Sequence, residues 1–459
     1  MGSRAAGNDV RTPRRSGNPL AAGAAVASAR MASLVAAAIQ LPVLTRLLEP
    51  GDYGKLAVAI AIATYINVFT DVHTLAFQRF PGSAQERANY AYASRRVYGT
   101  VAVIAVMLVA AGYLFGSSWR YGLGIAGWGF GLAASRFVAT AWLGWLKPWS
   151  YAGSLATSTA VRTVALVLLV AMTGDADISL ALAGLACGTA ALLTGPRRAR
   201  RGSDPSGAPW RLSFGLQLAL ASAATTLMAN AVLLVLPAFE APTAVGRFAA
   251  MFQLASLTSG AALGLLTTIA YPRLRAAWDS GRHRDVHTAM VDTALLAIAT
   301  AAATLALTSA GNFWLARLAV AGDLHDFRLV PPLVVATAIA SLATITSWEH
   351  QLRLDVALLS RRTLAASGVG VAAMATLTMQ LGLLGAAFGV IFLQATYALF
   401  IAPGACRPVR RSTAAVGLTL IGLVALLAEP SPTLVTVGST AIAATMGALL
   451  LRRYRARRL

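Results

Sequence analysis

Leu41 to Gly54, LPVLTRLLEPGDYG, ends one long apolar stretch and opens another within about a dozen residues. Pro50-Gly51 is a strong turn signal, and Glu49 and Asp52 place acid at the start of the following helix, where the helix dipole favours negative charge. Tyr53 suits an interfacial anchor. The stretch reads as a tight hairpin between two membrane spans.

The rest of the chain repeats that theme. Its 459 residues are 57% hydrophobic and 12% charged, with a mean hydropathy of +0.66. A soluble domain carries about a quarter charged residues, so composition points to an all-α polytopic membrane protein. Cys187 and Cys406 fall in an expected span and near a span end, which implies no disulfide framework. Met1 to Pro19 is basic and lacks the short apolar core and small-residue site of a cleaved signal, so a retained first helix is expected.

At roughly 20 apolar residues per span, about fourteen helices are expected, near 20–45, 54–77, 97–118, 121–146, 149–172, 177–195, 212–237, 246–271, 287–310, 330–360, 363–381, 383–404, 412–428 and 432–451. The net charge of +21 then reports topology and not nucleic acid. Of the 38 Lys and Arg, 28 fall in segments on the side of the N-terminus, six on the other side and four inside spans. That bias places both termini in the cytosol.

Leu41-Pro42, Glu49-Pro50 and Gly54-Lys55-Leu56-Ala57 have a counterpart in Leu236-Pro237, Glu240, Pro242 and Gly246-Arg247-Phe248-Ala249. Six spans per half give two MATE-like bundles of like orientation, with a substrate path expected between them. The expected organisation is a cytosolic tail over 1–19, a six-helix bundle over 20–200, a second over 201–405, and two further helices with a basic tail over 406–459. Close packing of spans is expected at Gly260 and Gly264, and at Gly385 and Gly389.

The motifs of the first hairpin, Leu44-Thr45-Arg46-Leu47-Leu48 through Tyr53-Gly54, resemble those of the Wzx-type polysaccharide-repeat flippases of the MOP (MATE-like) exporter superfamily. Asp71 late in the second span, Ala270-Tyr271-Pro272-Arg273-Leu274, and Gly382-Leu383-Leu384-Gly385-Ala386-Ala387 are similar to further motifs of that family in the same order. His73 departs from it, standing where glycine is common. The resemblance implies a flippase in the inner membrane that moves an undecaprenyl-pyrophosphate-linked oligosaccharide. Glycosyltransferases and a polymerase are its implied partners, with H+ or Na+ as a coupling ion.

Arginine inside a span costs about 2.5–3.5 kcal/mol on insertion scales, so Arg30, Arg136, Arg162 and Arg353 are expected to face a wet cavity or a partner. On the substrate chemistry implied by the resemblance, they compensate the pyrophosphate. The alternative for each is bonding to carbonyls or to Asp71, Asp292 or Glu349. Glu349 and His350 form a candidate proton or cation site with Asp71, against the alternative that they only hold Arg353 within one helix. With a span reaching Arg361, Glu349 lies about 18 Å above the inner boundary. His73 reads as interfacial, and His283 and His287 as solvated beside a basic loop. His325 with Asp323 and Asp326 is only loosely metal-like, and Trp119, Trp145, Trp149 and Trp314 suit the aromatic belt.

Neither cofactor nor metal is expected. A MATE-like antiporter of organic cations would carry unpaired acids in its cavity, whereas arginines outnumber acids at depth here. A polytopic glycosyltransferase, polymerase or ligase would need a longer outer region than the stretch over 311–327, and the chain has no nucleotide-binding glycine motif or nucleophile–base pair.

Overall fold

The computed structural model describes residues 19–79, 86–114, 118–144, 147–196, 212–257, 280–310, 320–353 and 356–402, with isolated positions over 270–278 and at 442. Every regular element among them is helical: α1 (Pro19–Leu47), α2 (Pro50–Arg79), α3 (Glu86–Leu114), α4 (Trp119–Gly144), α5 (Pro148–Thr173), α6 (Ala176–Thr194), α7 (Leu212–Val235), α8 (Pro242–Ala255), α9 (His283–Ala310), α10 (Val330–Leu352) and α11 (Val356–Ile401). Nine helices among the described residues are long and apolar enough to cross a membrane. This is a multi-pass membrane protein, as lipid demands of a chain that must satisfy its backbone within each segment. The spans expected over 412–451, Gly260, Gly264, Cys406, Trp145 and Trp314 lie outside the described residues.

The elements begin where the sequence supplies a start. Proline, whose missing N–H costs nothing at a first helical position, opens α2, α5 and α8. Asp175 caps α6, its carboxylate accepting from the backbone N–H of Asp177 and Ile178 at 2.9 and 3.1 Å. α11 is a helical hairpin whose turn is Gly382, with φ 59° and ψ −136°, in the left-handed region that an L side chain strains to reach. Its arms meet where a Cβ on Gly389 would lie against Met374 and one on Gly385 against the Leu377 carbonyl, so Gly385 and Gly389 form the expected close contact.

Two corrections follow. α10 stops at Leu352 and α11 starts at Val356, so no span reaches Arg361 from Val330. The apolar run after Asp355 belongs to the next helix. Tyr53 is 3% exposed and donates from its hydroxyl to Gln253 Oε1 at 2.7 Å. It is an internal link between α2 and α8, covered by the other hairpin, and not an interfacial anchor.

The weak repeat in the sequence has a direct counterpart in packing. α1 lies on α5 as α7 lies on α11, α3 lies on α4 as α9 lies on α10, and α4 lies on α6 as α10 lies on α11. The α5–α6 turn carries Gly174 at φ 64°, matching Gly382. At the hairpin end of the molecule the two repeated motifs meet reciprocally. A Cβ on Gly54 would lie 2.5 Å from the Pro242 carbonyl oxygen, and one on Gly246 would collide with the Pro50 carbonyl. Each motif thus offers its glycine to the proline of the other, as a two-fold axis running along the helices requires. The relation is broken on one flank: α2 lies along α7, whereas α1 and the described part of α8 barely touch.

Candidate functional site

α4 is surrounded by α2, α3, α5 and α6. From Gly124 to Trp142 every residue on it is buried or half-buried except Arg136. Gly129, seven residues earlier and so on nearly the same face, packs against Ile66 of α2. Arg136 therefore leaves α4 on its α2 side, about 10 Å nearer the tail end, where α1 begins.

Arg30 joins it there. Ala25 and Ala29 of α1 share one buried cluster with Ala139 of α4 and Tyr151 and Ala152 of α5. Arg30 follows Ala29 and is exposed, while Arg136 is one turn from Ala139, so the two arginines sit at one level. The structure puts these two at one level and the other two elsewhere.

Arg162 lies eleven residues along α5 from Tyr151, about 16 Å nearer the hairpin end. It is half-buried, with its Cζ 5.0 Å from the centroid of the Trp128 ring, a cation–π contact inside the first half. Trp128 is itself buried, and Cys187 beside this group donates to the Gly131 carbonyl at 3.5 Å.

Arg353 and Glu349 pair one turn apart across the end of α10. Glu349 is 0% exposed and three residues from the helix end, so its enclosure comes from neighbouring helices and not from the depth expected of it. On its other side stands His287 of α9, Nε2 to Oε1 3.7 Å. Trp278 packs against both His283 and His287, with ring centroids 4.3 and 6.3 Å apart. His287 is thus half-buried against a carboxylate and not a solvated loop residue; its partner stands 62 positions later, a distance over which no local pattern could have signalled it.

His350, adjacent to Glu349 in sequence, points away, its Nε2 lying 3.1 Å from the carbonyl of Ile401 on α11. Asp71 lies on α2, and its side chain is outside the described residues, as is that of His73. His325 Nε2 is 2.7 Å from the Val320 carbonyl. Among the described residues no three His, Cys, Asp or Glu side chains come together as a metal cluster. Trp119 and Trp149 are exposed near helix ends, as an aromatic belt requires.

No protein-family model and no curated protein sequence matches the chain. Solved structures do. The chain is similar to the lipid II flippase MurJ in an inward closed conformation, with a TM-score of 0.63 and 10% identity over 95% of this chain and 99% of that one. It is also similar to a multidrug resistance MATE family transporter of the MOP superfamily in an inward-facing conformation, with a TM-score of 0.55 and 14% identity over 88% and 96% of the two chains. A MOP superfamily transporter from Pyrococcus furiosus matches with a TM-score of 0.51 and 14% identity over 90% and 98%. The fold is the one shared by the flippases and transporters of the MOP superfamily.

Proposed function

We propose that this chain is a flippase that carries an undecaprenyl-pyrophosphate-linked oligosaccharide repeat across the cytoplasmic membrane for surface polysaccharide synthesis, in the manner of the Wzx-type branch. The observation that carries the reading is Arg136, the one exposed side chain between Gly124 and Trp142 of an enclosed helix, level with Arg30. In this reading the two guanidinium groups line the path of the substrate, keep their charge in a low dielectric and bind phosphate oxygens through paired donors. Arg162 forms a second tier toward the hairpin end, and Arg353 stands on the other half.

The bias of Lys and Arg puts the tail end in the cytosol, so the path takes its lipid from the inner leaflet. The proposed bundles run over 20–200 and 201–405, between the cytosolic tail over 1–19 and the two further helices and basic tail over 406–459. An ion gradient resets the empty carrier through the Glu349 group, with Asp71 and His350 as the further candidates. Glycosyltransferases that build the repeat and a polymerase that consumes it are the partners such a step needs.

The test is accumulation of the lipid-linked repeat at the inner leaflet in cells carrying Arg30→Ala or Arg136→Ala. Losing a charge-assisted contact worth about 1.5–3 kcal/mol slows translocation roughly 10- to 100-fold, with the protein still present in the membrane. Normal translocation in both variants would remove the assignment of these two arginines. The likeness to MATE transporters supports a second reading, a cation-coupled multidrug antiporter. Its organic cations would be repelled by Arg30 and Arg136, and chain-dependent efflux of a cationic dye without lipid translocation would establish it instead.

A further inference from the structure

We propose that His287 is the proton-binding residue of the Glu349 group, and that a proton held there lets Arg353 leave Glu349 for the anionic headgroup of the transported lipid. This rests on the flippase reading above. The carboxylate of Glu349 is 0% exposed and Oε1 faces Arg353 on one side and His287 on the other, whereas the side chain of Arg353 is 41% exposed. Arg353 is therefore the member of the group able to swing outward.

When it does, a buried carboxylate loses a counter-charge, which is strongly unfavourable unless another cation takes its place. An imidazolium at His287, with Nε2 already 3.7 Å from Oε1 and no hydrogen-bond partner for that atom, supplies the charge; neutral imidazole does not. Proton uptake at His287 and anion binding at Arg353 then favour each other by the same factor, as linkage requires.

Among the described residues the charged and titratable groups around His287 are few. α10 presents Glu349 and Arg353, and the first residue of α9, His283, lies across the ring of Trp278 from the preceding segment. On α9 itself Arg284 and Asp285 are exposed in the first turn, and Asp292 stands five residues on. His350 does not enter, being turned to Ile401.

The experiment uses the full chain reconstituted in liposomes with a fluorescent undecaprenyl-pyrophosphate-linked sugar, in weakly buffered solution containing a pH dye. Adding this lipid should make the wild-type protein take up as much as about one proton per molecule. Neither His287→Gln nor Arg353→Gln should do so, and His350→Gln should behave as wild type. Translocation rate should vary with pH between 5.5 and 8 in wild type and flatten in His287→Gln, with sodium making no difference.

Proton uptake that survives in His287→Gln, or disappears in His350→Gln, would overturn the assignment while leaving the flippase reading standing. A sodium requirement would overturn the choice of proton. Wild-type protein that moves no lipid at any pH would remove both readings together.

Discussion

A guanidinium within a span holds its charge wherever it sits, so the four arginines differ in what surrounds them. Arg136 and Arg30 are exposed, Arg162 lies over an indole, and Arg353 lies on a carboxylate. The consequences separate in experiment. Trp128→Ala removes a buried aromatic and the face on which Arg162 rests, at a cost of about 3–5 kcal/mol, and should lower the thermal denaturation midpoint in detergent by several degrees. Arg136→Ala, acting on an exposed side chain, should leave that midpoint nearly unchanged while translocation falls. A midpoint insensitive to Trp128→Ala would show that the indole carries no packing there. At this scale the sequence marks which residues are costly in lipid but not which of them meet. Arg353 and Glu349 are a spacing of four on one helix and can be read locally, whereas His287 meets Glu349 only because α9 packs on α10.

Between elements, glycine sets the distance of approach. α4 and α6 are joined along a seam where a Cβ on Gly124 would lie 2.8 Å from the Asp177 carbonyl oxygen and one on Gly127 2.6 Å from that of Ala181. The apposed carbonyl groups are backbone and cannot move aside. Gly184→Leu, which would drive a side chain into the backbone at Gly127 and Trp128, should keep the protein from accumulating in the membrane, as immunoblotting of membrane fractions would show. Wild-type levels would mean that α4 and α6 can separate freely. Hydropathy located the helices well, because a lipid-crossing segment must be long, apolar and helical. It misplaced the end of α10, since Val356 to Leu359 is apolar enough to extend one span into the next. The Gly385 and Gly389 contact is legible from small residues four apart, whereas the glycines of the α4–α6 seam, Gly124, Gly127 and Gly131, stand in a helix with so many other small residues that no one face is marked.

For the molecule as a whole, the chain order of α1–α2 and α7–α8 was written in two short runs of sequence, and their partnership in space follows from them. Which hairpin buries Tyr53 was not written, because an amphipathic ring at a helix end looks the same facing a headgroup or a second copy of its own motif. Orientation is open to a direct test. Cysteines introduced one at a time in place of Lys147 and Gly322, in a chain with Cys406→Ser that keeps only the buried Cys187, should differ toward a membrane-impermeant maleimide applied to intact cells. Gly322→Cys should react and Lys147→Cys should be protected, and the reverse pattern would invert the assignment of the tail end to the cytosol.

The meeting of Gly54 with Pro242 and of Gly246 with Pro50 has one more result. It is a single steric demand imposed twice, and each side already consists of the smallest residue there is. A methyl group added at one glycine cannot be relieved by trimming the other, so a search for compensating changes should find none at the opposite glycine. Any revertant must restore the original residue or shift a whole helix.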